Sequence, residues 1–330
     1  MLSEVALTPQ LLEQSGQVDT DEWIEQLRRL LSRLRPRFRQ EPNPLVIANL
    51  HDGDWYRQLN ELIDEIGDHR ARRLARDIRC AIQEVLVQRP SCRDELPYTA
   101  EGWTTEAVAS HQQAPIDRII TTTQSNRDLS AEDGLMCCMD EIDDEKLWDF
   151  VSPSRSPAMR LAEQVEALRP FWVHSKFIAM ASPYFLSSES ALIRKVLEKA
   201  VTRHAGFEPL SHFDVHTTVK DDELRDSDIE RGRLMLSESC GGRVTSRLFI
   251  WRKFVKRVLL AGDRTRTTSD GGPRVSWGVS FDHIVSDRRS ETEQANWFLL
   301  NANQVIDNRL FFYGSDRQQF LLCPAIVVQK

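Results

Sequence analysis

The stretch RLAEQVEALRPFWVHSKFIAMASPYF, residues 160–185, joins two patterns that seldom stand so close. Over Ala158–Phe171 the apolar side chains recur at helical spacing, which predicts an amphipathic helix. Phe177–Ala181 (FIAMA) is short and wholly apolar, which predicts a strand covered on both faces. The same alternation continues downstream. Ser190–Ala205 and Asp228–Ser239 read as helices. His212–Val219, Val244–Trp251, Val258–Ala261, Val275–Phe281, Arg309–Tyr313 and Gln319–Val328 read as strands, with a turn at Asp270–Gly272. Helices and strands in this order predict an α/β domain with a mixed sheet over residues 151–330.

Upstream, SPSRSP at 152–157 reads as a turn or linker and sets the expected domain boundary. Residues 1–150 are expected to form a mainly helical region. Asp19, Thr20 or Asp21 starts a helix carrying Trp23, Leu27, Leu30, Leu31 and Leu34, which Pro36 ends. Trp55, Leu59, Leu62, Ile63 and Ile66 form a second apolar stripe closed by Gly67. Residues 69–88 form a third, whose outer side bears Arg70, Arg72, Arg73, Arg76 and Arg79. That arginine group reads either as a solvated face paired with nearby carboxylates or as a phosphate contact. One β-branched run, Ile116–Thr123, predicts a strand.

A length of 330 residues predicts roughly two domains. Lys plus Arg is 43 and Asp plus Glu is 50, a net charge of −7, so any nucleic-acid contact needs a local basic patch. No apolar run reaches the ~18–20 residues of a membrane span. The opening MLSEVALTPQLLEQSGQVDTDEW lacks the charged and apolar regions of a signal peptide, so a cytoplasmic location is expected. The scattered cysteines Cys80, Cys92, Cys137, Cys138, Cys240 and Cys323 contain no C-x-x-C and read as reduced thiols.

The common nucleotide-binding, zinc-protease and serine-hydrolase motifs are missing. His174 and Lys176 form an H-x-K, the pair in which phospholipase D-type enzymes place a nucleophile and a phosphate-binding cation. Their position at a helix exit also suits plain dipole compensation. His212, Asp214 and His216 share one strand face, which reads as a metal site or as an ordinary strand surface. No fourth ligand stands out, so no metal and no cofactor are expected.

Three segments together resemble the phospholipase D-like domains of bacterial anti-phage defence proteins, related to the C-terminal domain of MIT-domain proteins. Leu161–Phe185 looks like the helix-strand segment that ends in D-P-Y in that group, with Ser182-Pro183-Tyr184 standing where D-P-Y would be. Phe254–Leu260 (FVKRVLL) is similar to its F-H-D-R-[FY]-L-L strand, and Gly271–Phe281 resembles the glycine-rich turn and strand that follow. The resemblance covers about 158–285 and implies a phospholipase D-like fold. By this alignment Val255 replaces the histidine nucleophile, Lys256 the aspartate, and only Arg257 persists. An aliphatic side chain cannot attack phosphorus. The competing reading makes Val255 part of a buried strand.

The resemblance therefore implies a non-catalytic subunit of a defence assembly that binds other subunits, DNA or RNA. Lys253, Lys256, Arg257, Arg264, Arg266 and Arg274 are its expected contact residues, with Trp251 and Trp277 nearby. The alternatives are an active phosphodiesterase or nuclease using His174 and Lys176, or His212 and His216, and an adaptor for anionic membrane surfaces.

Overall fold

In a computed structural model, the structure describes residues 2–14, 16, 18–35, 44–122, 134–142, 144, 148, 154–157, 160–186, 190–204, 206–219, 224–240, 244–267, 273–282 and 296–328. The chain divides into two compact units, Leu2–Ser152 and Pro153–Lys330.

The first unit alternates strands and helices: β1 (Ser3–Leu7), α1 (Thr20–Leu34), β2 (Leu45–Asn49), α2 (Asp54–Glu65), α3 (His69–Gln83), β3 (Leu86–Gln88), α4 (Ala100–Gln113), β4 (Arg118–Thr121) and β5 (Met136–Cys138). The strands form a parallel sheet in the order β3-β2-β1-β4-β5. The three expected helices are present. Asp19 caps α1 by accepting from Glu22 N, and Asp68 caps α3 by accepting from Arg70 N and Ala71 N. Trp23, Leu27, Trp55, Leu59 and Ile78 meet Ile47 and Ile119 of the sheet in one core. A mainly helical description omits this sheet, of which Ile116–Thr123 supplied the one strand expected. Ser3–Leu7 and Leu45–Asn49 are buried at every position, so they lack the alternation that marks a half-exposed strand. Arg89, buried after β3, donates to both carboxylate oxygens of Glu4 at 2.6 and 2.7 Å and ties β1 to that strand's end. On α3, Arg70 pairs with Asp21 and Arg72 donates to the Ile66 carbonyl, so part of the arginine face serves the unit's own packing.

The second unit contains β6 (Ser154–Arg155), α5 (Leu161–Ala167), α6 (Arg169–His174), β7 (Phe177–Ala181), α7 (Ser190–Thr202), β8 (His212–Thr218), α8 (Asp226–Cys240), β9 (Thr245–Trp251), β10 (Val258–Thr267), β11 (Pro273–Phe281), β12 (Trp297–Leu299), α9 (Ala302–Tyr313), α10 (Ser315–Gln318) and β13 (Ile326–Val328). Its sheet is mixed, in the order β13-β9-β8-β7-β10-β11-β12-β6. β7, β8 and β9 run parallel, whereas β10 runs antiparallel to β7. The α/β class expected from the sequence holds for the chain.

The amphipathic stretch that precedes β7 breaks at Leu168 into α5 and α6, and Pro170 sits in the first turn of α6, where its missing N–H costs no bond. Two strand expectations give way. Arg309–Tyr313 closes helix α9: Asn301 and Gln304 form a reciprocal capping box at its start, and this overrides the strand preference of Phe311, Phe312 and Tyr313. Of Gln319–Val328, Ile326–Val328 forms strand β13, and Leu321 makes an isolated bridge to Trp251. The turn at 270–272 lies outside the described residues. No described helix is long and apolar enough to cross a membrane.

Candidate functional site

In open α/β sheets, ligands bind outside the carboxyl ends of parallel strands where the strand order changes direction. In the second unit that place lies after β7 and β8, beside the start of β10. Four short pieces converge there: Ser182-Pro183-Tyr184 after β7, Thr218 ending β8, the loop 252–257, and Asp282 after β11.

Local hydrogen bonds fix the edge. Ser182 is buried, and its N–H donates to the His216 carbonyl at 3.0 Å. Its hydroxyl accepts from Tyr184 N at 3.2 Å, closing a tight turn. Thr218 Oγ1 donates to the Pro183 carbonyl at 3.0 Å. A serine is well suited to this buried turn, which provides no solvation for a carboxylate.

The loop 252–257 is pinned by Phe254, which packs edge-on against Phe312 of α9 with ring centres 5.6 Å apart. Phe254 points inward, so its neighbours face solvent, and Val255 is 78% exposed. This corrects the buried-strand reading of Val255: β10 begins three residues later. Arg257 lays its guanidinium over the Tyr184 ring at 4.9 Å and donates to the Asp282 carbonyl at 3.3 Å. Lys256 donates to Asn308 Oδ1 at 3.0 Å and sits 4.5 Å from the centre of the Phe311 ring. Arg252 and Lys253 are exposed. Lys253, Lys256 and Arg257 therefore belong to one edge. Arg274 is exposed on β11, opposite Asp263 of β10. Arg264 and Arg266 lie on β10, and their side chains fall outside what the structure describes.

Beneath the edge lies a buried polar chain that the sequence reading missed as a unit. Arg247 of β9 grips Asp214 of β8 with two guanidinium nitrogens, Nε at 2.8 Å from Oδ1. Tyr313 OH donates to Asp214 Oδ2 at 2.8 Å. His216 Nε2 lies 3.0 Å from that hydroxyl, and Trp251 Nε1 donates to His216 Nδ1 at 3.1 Å. The donors fix every proton. Nδ1 accepts, so Nε2 carries the hydrogen and gives it to Tyr313, whose own hydrogen goes to Asp214. Burial pushes His216 down to about 3, with Asp214 opposing and Arg247 reinforcing the shift. The ring stacks on Phe249 at 4.5 Å. Both nitrogens of His216 are thus occupied, and Asp214 is held by a cation. His212, at the far end of β8, contacts the Ser211 hydroxyl at 2.9 Å. Among the described residues no group of three His, Cys, Asp or Glu is placed to hold a metal.

His174 and Lys176 precede β7, at the amino end of the parallel strands, away from this edge. His174 packs on Phe207 with ring centres 5.8 Å apart, and Lys176 pairs with Glu208 at 2.8 Å. The α6 terminus is served chiefly by Arg203, whose Nη1 donates to the carbonyls of Trp172, Val173 and Ser175.

The first unit has its own polar cluster at the carboxyl end of β2. His51 and Asp52 hold φ of +54° and +55°, and Gly53 follows at +103°. Both ring nitrogens of His51 face acceptors, Asp54 Oδ2 and the Arg93 carbonyl, each at 3.0 Å. Nearby, burial pushes Glu106 up, and it also pushes Cys92 up to about 11, with Glu106 adding to that rise. Backbone strain of this kind concentrates at places the surrounding structure holds firmly.

No protein family matches the chain, and no curated protein matches it. Among solved structures, a polyphosphate kinase from Porphyromonas gingivalis is similar at 11% identity and a TM-score of 0.32, over 48% of this chain. The alignment spans 25% of that kinase, and a likeness this slight carries no argument about fold or activity.

Proposed function

We propose that the second unit is a phospholipase D-like domain that has lost its nucleophile and serves as a binding subunit of a bacterial anti-phage defence assembly. Its ligand on this reading is a partner protein. The defence setting and the family rest on the resemblance of Ser182–Tyr184, Phe254–Leu260 and Gly271–Phe281, and fold-level analogy is a weak warrant for function by itself. The observation that carries the binding reading is Val255: it stands 78% exposed at the carboxyl end of the parallel strands, two residues after Lys253 and directly followed by Lys256 and Arg257. A position open to solvent at such an edge, with cations and an aromatic ring around it, offers contact and no chemistry.

A protein is favoured over nucleic acid by the mixture of groups. Tyr184 and Phe311 already carry cations on one face, leaving less ring surface for bases to stack on. Exposed Val255, Leu310 and Phe320 add apolar area, which suits a protein interface core. The whole chain is acidic, which disfavours a long nucleic-acid track.

Reversing Lys253, Lys256 and Arg257 to Glu tests the reading. The expected result is loss of partner capture in a pull-down from the native host by a chain that still unfolds cooperatively, its melting temperature lowered at most by the lost contacts of Lys256 and Arg257. Capture that survives the reversal overturns it. A gel shift run beside it separates the ligands: loss of DNA or RNA binding with a steep salt dependence assigns the edge to nucleic acid.

A further inference from the structure

A cavity of about 510 Å³ opens beside Lys256, lined by Asp307, Leu310 and Phe311 of α9, the Gly314 link, and Ser315 and Asp316 of α10. It falls in the size range of specific small-ligand sites. Gly314 cannot be replaced by a larger residue without moving the helix, since a Cβ there would lie 2.6 Å from the Leu310 carbonyl oxygen. The link between the helices is therefore held tight, and no side chain from it fills the cavity.

The charges on the lining are unequal. Lys256 is already engaged by Asn308 Oδ1 and the face of Phe311. Asp307 and Asp316 form no ion pair with any described residue, and Asp316 Oδ1 is met among these only by the Ser315 hydroxyl at 3.4 Å, so two carboxylates stand against one ammonium. A phosphate entering here would meet both carboxylates, so the lining disfavours an anion. A wholly apolar group would desolvate both carboxylates, with only the Ser315 hydroxyl, 3.4 Å from Asp316 Oδ1, to answer them. Leu310 is 41% exposed, and with Phe311 it gives the cavity an apolar wall. A long methylene stem covers such a wall while its charged head stays at the rim. The guanidinium group also presents five N–H donors in a plane, enough to address Asp307, Asp316 and the Ser315 hydroxyl from one side chain.

We propose that this cavity receives an arginine side chain of the partner protein. The inference rests on the binding reading above and deepens it. The partner surface would carry an acidic group opposite Lys253 and Arg257 and an arginine opposite Asp307 and Asp316. Such a bipolar pattern fixes orientation as well as partner choice.

The test uses the full chain and two probes, N-acetyl-arginine amide and its citrulline counterpart, read by saturation-transfer NMR. Citrulline keeps the shape and loses the charge. The expected result is binding of the arginine probe and roughly tenfold weaker binding of the citrulline probe, the size of a lost charge-assisted contact. In Asp307→Asn/Asp316→Asn that preference disappears while thermal melting stays unchanged. Equal binding of the two probes, no binding of either, or a preference that survives in the double variant overturns the proposal. The broader reading fails separately. If it is wrong, partner capture survives reversal of Lys253 and Arg257 to Glu. If only the cavity assignment is wrong, that reversal abolishes capture while the arginine probe does not bind.

Discussion

His216 shows how a residue type alone misleads. At period two with His212 and Asp214 it reads as a metal ligand, a phosphodiesterase residue or plain strand surface, yet both its nitrogens are spent on Trp251 and Tyr313. Burial holds it near 3 against an ordinary 6.5, so the folded chain keeps it neutral where the unfolded chain takes up a proton. The depressed value makes its contribution to stability full above about 6.5 and progressively lost as pH falls toward about 3. Each pH unit in that window removes on the order of 1 kcal/mol at most. His216→Phe deletes this proton uptake and leaves the Trp251 N–H without an acceptor, at a cost of ~1–3 kcal/mol at neutral pH. Denaturant unfolding at pH 7.5 and pH 5 should therefore show a smaller pH difference in the variant than in the parent chain. An unchanged difference contradicts the assignment. The partners of His216 were not legible from sequence: Tyr313 lies 97 residues away, and only the fold brings it close. Val255 stands at the nucleophile's position only by the resemblance proposed above. Its exposure was not legible, because it depends on Phe254 turning inward.

Elements were read well where the periodic signal was long and poorly where it was short. α1, α2 and α3 show their apolar stripes plainly in sequence, and Asp19 and Asp68 mark two of the starts. β1 and β2 are five-residue, fully buried strands, and a run of that length carries no face to alternate against. The α9 helix is the opposite failure. Its aromatic C-terminal half looks like a strand, while the signal that settles it, Asn301 with Gln304, sits a full helix length upstream. The cap is consequential because α9 carries Asn308, Phe311 and Phe312, which respectively hold Lys256, line the cavity and anchor Phe254. Asn301→Ala should cost about 1 kcal/mol of stability, in line with other lost caps, measured by denaturant unfolding. A change below about 0.3 kcal/mol would mean that tertiary packing holds the helix without its cap.

At the scale of the molecule, two α/β units share one acidic chain, and each has polar side chains gathered at the carboxyl end of its parallel strands. The first unit spends its polar groups on backbone held at positive φ, as at His51 and Asp52. The second gathers exposed cations around an aliphatic residue. The H-x-K pair lies at the amino end of β7, with Lys176 committed to Glu208, so two features that suggested phosphoryl chemistry in the sequence occupy opposite ends of one strand layer. The most direct measurement is hydrolysis of a chromogenic phosphodiester and of DNA by the purified full chain, with and without added divalent cations. The account predicts no turnover above buffer under either condition. Turnover abolished by His174→Ala, or by His216→Ala in a chain that still folds, would contradict it.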